Sequence, residues 1–195
     1  PGSDGVLKNL DEAIKIAEGI GYPIMLKAVA GGGGKGMRLI KNRTELERYY
    51  DVTQSEALAF FGNADLYLEK VIINAKHIEI QVFADKFGNT IHLNERECSL
   101  QRRNQKLIEE TPSLAVSQDL RDKMGRISAS GAKAVNYLGP GTIEYLLDSE
   151  GNFYFMEMNT RIQVEHPITE EALKYDLVAE QIRVAAGEKL SLNEQ

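Results

Sequence analysis

Tryptophan, cysteine and long apolar runs are what this 195-residue sequence has least of: it contains no Trp and a single Cys. One cysteine, Cys98, excludes an intramolecular disulfide and any CxxC zinc pattern, which fits a protein of the reducing cytosol. No apolar run approaches the ~18 residues needed to span a bilayer, and no charged-then-apolar leader opens the chain. Positive charge is also in deficit. The 23 Lys and Arg stand against 29 Asp and Glu for a net charge of -6, so nothing in the charge balance calls for nucleic acid or an anionic membrane as partner. A small anionic ligand then needs a local basic pocket working against the overall sign. Pro1-Gly2-Ser3-Asp4-Gly5 reads as loop, and without an initiator Met the chain is expected to begin inside a longer protein.

What is there in quantity is glycine, seventeen residues against five prolines, and an apolar fraction of 43% that suffices for one domain or two small lobes. Asn9 with Glu12 makes a cap-like start for a helix carrying Leu10, Ala13, Ile14, Ala17 and Ile20, ended by Gly19 and Gly21. Tyr22 to Val29 reads as a buried strand broken only by Lys27, and Met37 to Ile40 as a short strand. Thr44 and Glu47 suggest a capping box for a second helix reaching about Phe60. Strands are expected over Asp65 to Ile73, Ile78 to Ala84 and Thr90 to Glu97. Ser117 should cap a helix with the stripe Leu120, Met124, Ile127 and Val135. Thr142 to Asp148 and Asn152 to Met158 form a hairpin around Glu150-Gly151, and Thr169 caps a last helix through Leu173, Leu177, Val178 and Ile182. Strand pairs mixed with helices, without βαβ alternation, indicate an α+β fold. A lobe boundary is placed near Val71.

Gly31-Gly32-Gly33-Gly34-Lys35-Gly36 follows a strand, where glycine lets backbone N–H groups crowd around phosphate oxygens. GxGxxG is met at Gly31, Gly33 and Gly36, but the dinucleotide fingerprint requires a helix next, and Met37-Arg38-Leu39-Ile40 reads as strand. Walker A fails because Gly36 follows Lys35. A loop able to close over a triphosphate remains, with a mobile hairpin tip as the bland reading. Lys27, costly to bury without an anionic partner, favours the former; an edge residue reaching water is its plain alternative.

The hairpin is more specific. If Glu150-Gly151 is the centre of the turn, Glu144 lies directly opposite Glu157, and two bare carboxylates on one sheet face repel. A divalent cation such as Mg²⁺ resolves this; a register slip or a solvated acidic face are the competing explanations. Glu157, Asn159, Arg161, Gln163 and Glu165 then fall at every second position, so an extended chain aims all five one way. A carboxylate and an amide can serve a metal, a guanidinium can hold a planar oxyanion, and a last carboxylate can accept a proton. The stretch Glu95 to Lys106, dense in charge and without clear period, reads on composition as a solvated loop. His77 alone reads as structural, and Cys98, with no His partner, as non-catalytic.

Taken together, Lys27-Ala28 with Gly31 to Met37, Glu95 to Lys106, and Glu157-Met158-Asn159-Thr160-Arg161-Ile162-Gln163-Val164-Glu165-His166-Pro167 resemble the biotin carboxylases, the ATP-dependent components of acetyl-CoA, propionyl-CoA and pyruvate carboxylases. The spacing agrees across essentially all 195 residues. The resemblance implies an ATP-grasp fold of two small α+β lobes with the nucleotide between them: 1–71 as lid with the glycine loop, 72–195 as part of the base. It implies that ATP phosphorylates bicarbonate to carboxyphosphate, whose CO₂ passes to N1 of biotin on a carrier domain, in a cytoplasmic, mitochondrial or plastid compartment and in pathways such as fatty acid biosynthesis. By position, Lys27 and the loop Gly31 to Met37 would bind phosphates, and Glu69, Lys70 and Ile72 would flank the adenine. His77 and Gln101 would line the nucleotide site. Glu144, Glu157 and Asn159 would hold Mg²⁺ or Mn²⁺. Arg161, Gln163, Val164 and Lys106 would hold bicarbonate, with Glu165 as its base. A carboxyltransferase component and a homodimeric parent are further expected partners, and an isolated fragment is expected to be inactive. Asn104 stands where many members carry His, and Glu171 to Tyr175 replaces a commoner glycine-containing turn. Another ATP-grasp ligase, such as a carbamoyl-phosphate synthetase, and a non-catalytic nucleotide-binding module are the alternatives.

Overall fold

The computed structural model describes residues 1–31, 36–103 and 105–192. The contacts divide the chain into two compact units, Pro1–Ile72 and Ile73–Gln195.

The first unit opens with helix α1 (Leu10–Ile20), then strands β1 (Ile24–Ala28) and β2 (Met37–Ile40), helix α2 (Arg43–Phe61) and strand β3 (Leu66–Lys70). The strands make an antiparallel sheet of order β2-β1-β3. Both helices start alike: the Asn9 side chain accepts from Glu12 N while Glu12 accepts from Lys8 N, and Asn42 accepts from Glu45 N while Glu45 accepts from Lys41 N. The second cap is therefore Asn42, two residues ahead of the expected Thr44. Its extended φ of -162° and ψ of 172° leave its side chain positioned to cap, whereas Thr44 already sits inside the helix. Ile24, Leu26 and Ala28 alternate into a core with Ala13, Ile14, Ala17, Leu46, Tyr50, Leu66 and Leu68. Lys27, out of phase with them, faces the other way.

The second unit consists of β4 (Lys76–Ala84), β5 (Thr90–Arg102), β6 (Gln105–Glu110), α3 (Gln118–Ala134), β7 (Gly139–Leu147), β8 (Phe153–Asn159), α4 (His166–Leu173) and α5 (Leu177–Ala185). Its antiparallel sheet has the order β6-β5-β4-β7-β8. One face carries Ile78, Ile80, Val82, Ile143, Tyr145 and Leu147 against Met124 and Ala132 of α3. Phe83, Ile91 and Leu93 form a further cluster with Leu177 of α5 and Leu190.

Four sequence expectations change here. The charged stretch Glu95 to Lys106 is not a loop but holds the end of β5 and the start of β6, the latter a strand that the sequence reading missed. Its charges lack a period because each satisfies a different neighbour: Glu95 takes both Arg121 Nε and Nη2 on the α3 side, and Glu97 takes Lys76 and Ser113. Helix α3 buries Met124, Gly125, Ser128 and Ala132, while Ile127 and Val135 stay exposed. The helix has to pass close to the sheet, since a Cβ on Gly125 would run into the His92 ring, so small residues rather than large apolar ones mark the packed face. Thr169 is no cap; it is buried within α4. The expected last helix is two, broken at Lys174, which takes left-handed φ 54° and ψ 44° where glycine would do so without strain; Asp176 caps α5.

Candidate functional site

The hairpin register is as expected, Glu144 opposite Glu157 and Thr142 opposite Asn159, though by a different route. The turn closes with Asp148 N donating to Asn152 O, and Leu147 pairs with Phe153. Those pairs alone would set Glu144 against Met156; a bulge between Glu144 and Tyr145 adds one residue on β8 and restores the pairing with Glu157. Beyond Asn159 the strand ends, and Val164 and Glu165 lie in a turn leading into α4. The five alternating polar residues therefore do not share one extended face. Asn159, Gln163 and Glu165 converge, because the chain folds back over the sheet; Arg161 stays exposed, its Nη1 donating only to Ile162 O. The Val164 side chain is out in solvent and Glu157 is exposed.

What they converge on is a largely buried network centred on Lys106, at the start of β6. Its ammonium donates to Glu79 Oε2 (2.5 Å), Glu144 Oε1 (2.9 Å) and Glu165 Oε1 (2.5 Å). Asn159 Nδ2 and Gln163 Nε2 also donate to Glu144 Oε1, at 2.9 and 3.0 Å. Gln101 donates to His77 Nδ1 (3.0 Å), which leaves the ring proton on Nε2. That nitrogen lies 3.0 Å from Glu144 Oε2. Burial by itself would raise the Glu144 carboxyl; the His77 ring, Lys106 and Gln163 outweigh it and hold the pKa down at about 2. For Glu165 burial again pushes upward and Lys106 outweighs it, so its pKa is lowered. Burial pulls the Lys106 ammonium down, but Glu79, then Glu165 and Glu144, raise it. All three groups are therefore charged at neutral pH.

Beneath this layer lies a second that the sequence reading missed: Glu79 and Gln81 of β4, Arg96 of β5 and Thr142 of β7, all buried. The signal was available, since His77, Glu79 and Gln81 alternate with Ile78, Ile80 and Val82 in the same period of two that marked Glu157 to Glu165. Cys98, next on that face of β5, brings its sulfur within 4.8 Å of a carboxylate oxygen of Glu79 and of Glu165. Burial, then the Glu79 charge, push its thiol up, so it remains protonated and is a poor nucleophile.

In the first unit Lys27 Nζ donates to Glu69 Oε2 (2.8 Å) and stands 5.2 Å from the centre of the Tyr67 ring. Burial lowers its pKa, and the bond to Glu69 with help from Tyr67 more than offsets that. Lys70 Nζ donates to Gly21 O (2.7 Å); Ile72 ends the unit. Gly36 has φ +72°, and a Cβ there would crowd Phe61 and Ala28, so glycine is favoured at that position. Gly31 N donates to Ala28 O. Gly32, Gly33, Gly34 and Lys35, and Asn104, lie outside the described residues.

Known proteins agree with this architecture. Residues 1–193 match the family described as the carbamoyl-phosphate synthase L chain, ATP binding domain, and the chain belongs to that family. Within it, the likeness is to biotin carboxylases. The chain is 56% identical over its whole length to biotin carboxylase 2 of Populus trichocarpa chloroplasts, covering 37% of that protein, and 53% identical to biotin carboxylase 1 of Bacillus subtilis, covering 44%. It is also similar to the biotin carboxylase domain dimer of Hydrogenobacter thermophilus 2-oxoglutarate carboxylase solved with MgADP, ADP and bicarbonate, at TM-score 0.88 and 54% identity, over 100% of this chain and 43% of that one. The Campylobacter jejuni biotin carboxylase-β-γ-ATP complex matches at TM-score 0.89 and 48% identity, over 99% and 43%. The fold is thus the ATP-grasp architecture of biotin carboxylases, and the chain spans about two-fifths of the relatives it matches.

Proposed function

We propose that this chain is the ATP-binding core of a biotin carboxylase, in which MgATP activates bicarbonate as carboxyphosphate for transfer of CO₂ to biotin on a carrier domain. The observation that carries this reading is Lys106 shared by Glu79, Glu144 and Glu165, beside Gln163 and Asn159: a largely buried, pre-ordered anion and metal floor built on one sheet and the segment that folds back over it. The similarity to proteins solved with MgADP, bicarbonate and an ATP analogue supports it. A carbamoyl-phosphate-type ligase shares the family description, but relatives at 50 to 56% identity include biotin carboxylases of plants and bacteria.

In this reading Arg161, whose guanidinium makes no side-chain bond among the described residues, takes the planar carbonate oxygens in a paired hydrogen bond. Gln163 and Lys106 orient the same anion, and Glu165 takes its proton. As long as Lys106 is bound to it, Glu165 is a weak base; once an incoming anion draws the ammonium away, the carboxylate loses its counter-charge and its proton affinity rises. The residues present suit a hard cation. Glu79, Glu144 and Glu165 outnumber the cations Arg96 and Lys106 that they contact, and Glu157 and the Asn159 side-chain oxygen are uncommitted among the described residues, so Glu144, Glu157 and Asn159 would hold Mg²⁺ or Mn²⁺. Such an ion would neutralise the phosphate oxygens. Lys27 and the glycine loop, in a lid formed by residues 1–71, would take phosphates, with Glu69, Lys70 and Ile72 at the adenine and His77 and Gln101 beside the nucleotide. A carboxyltransferase component, a homodimeric parent and a cytoplasmic or organellar matrix setting complete the proposal.

The test is to graft these 195 residues in place of the matching span of full-length Bacillus subtilis biotin carboxylase 1 and follow ADP release with free biotin. Bicarbonate-dependent turnover, lost in Glu165→Gln with MgATP binding retained, is expected. A folded graft that binds MgATP and turns over independently of bicarbonate would overturn the reading.

A further inference from the structure

Arg96 is at 0% exposure, as are Glu79 and Glu180 in the same unit, and its guanidinium is fully used. Nε donates to Glu79 Oε1 (2.5 Å), Nη1 to Gln81 Oε1 (2.8 Å) and Thr169 Oγ1 (3.0 Å), and Nη2 to Thr142 Oγ1 (3.2 Å) and Gln163 Oε1 (3.2 Å). An arginine has five N–H groups, and each has one acceptor here. The acceptors come from β4, β7, α4 and the segment between β8 and α4, so one side chain on β5 ties that returning segment to the sheet. It also decides which way the Gln163 amide points. With its carbonyl oxygen held by Nη2, its NH₂ faces Glu144 Oε1 at 3.0 Å. Turned over, the amide would set NH₂ against the guanidinium and its oxygen against a carboxylate, two repulsive contacts.

We propose that Arg96 is a positioning residue for bicarbonate, fixing the amide polarity of Gln163 and the path of the chain from Arg161 to Glu165 before substrate arrives. It does not touch the substrate itself, and the assignment rests on the biotin carboxylase reading above. Lysine at this position keeps the charge beside Glu79 but offers at most three N–H groups in no fixed fork. Two acceptors are then orphaned, and the Gln163 amide is released. Arg121 is the control: it is paired with Glu95 on the opposite, α3 side of the sheet, where a purely structural ion pair belongs.

In the graft, Arg96→Lys is expected to raise the KM for bicarbonate about tenfold, the scale of one or two lost hydrogen bonds, while the KM for ATP stays within about threefold. Arg121→Lys should move neither selectively. Parallel rises in both constants, or none, would overturn the positioning role. Should the unsubstituted graft lack bicarbonate-dependent turnover, the functional reading fails separately. Hydrogen exchange of the 195-residue chain then decides the case for Arg96: protection lost in Arg96→Lys selectively over Arg161 to Glu165 upholds it, and uniform loss or no loss refutes it.

Discussion

Both units are antiparallel sheets with one apolar face packed against helices and charged side chains on the other face, yet they treat those charges differently. In the first, Lys27 and Glu69 pair in partial contact with water, their side chains 23% and 47% exposed. In the second, Arg96 and Glu79 pair at 0% exposure and Lys106, Glu144 and Glu165 gather over them. A half-wet pair is screened and adaptable, as befits a group awaiting a ligand. A dry network is costly to desolvate and tolerates few arrangements, so it holds geometry. Identical period-two patterning thus yields either a loose contact or a rigid floor, depending on whether another segment closes over the charged face.

The sharpest way to break the contrast is Arg96→Met. It removes one partner of a fully buried pair and leaves Glu79 beneath the site, so a loss of roughly 3–5 kcal/mol in urea unfolding of the chain is expected. A cost under about 1 kcal/mol would place that network among exposed pairs. Acid comes next. Glu144 has a folded pKa of about 2 against an ordinary 4.5, so it contributes stability present above about 4.5 and lost as pH falls through about 2. The sum is roughly 3 kcal/mol. Depressed Glu165 and Glu97 act in the same direction. Urea midpoints measured from pH 6 to pH 2 should fall steeply in that window, and Glu144→Gln should flatten the profile.

A smaller effect belongs to the other face of the same sheet. Gly125→Ala drives a methyl into the His92 ring and should cost about 1–3 kcal/mol by overpacking, read as a lower melting temperature with no acid dependence of its own. Least of all is Glu69→Gln in the first unit. Its half-exposed pair with Lys27 should cost under about 1 kcal/mol. A larger loss there would show that the two charged faces are not so different.

The sequence resolved the fold wherever a local rule was sufficient. Asn9 with Glu12, Ser117, the hairpin over 142–158 and the apolar strands β1 and β4 each follow from backbone chemistry within a few residues. It located the second cap two residues late because Asn42 and Thr44 are both plausible caps and only backbone angles choose between them. It turned the end of β5 and the start of β6 into a loop because their charges have partners far along the chain: Glu95 with Arg121, Lys106 with Glu144 and Glu165. The site was legible in outline. Glu144 opposite Glu157 followed from counting back from the turn, although a bulge on β8 supplied the residue that the count had placed in the turn.

By itself, then, the sequence determined the apolar strands, where α1 and α3 begin and which family the chain resembles, because those depend on residue type and short spacing. Only the tertiary structure decided that Arg96 is the centre of the buried floor, that Gln163 presents its NH₂ to Glu144, and that Arg161 remains outside. Whether a charged strand face is wet or dry depends on what folds back over it, here α4 and the segment ahead of it, and no spacing within the strand encodes that cover.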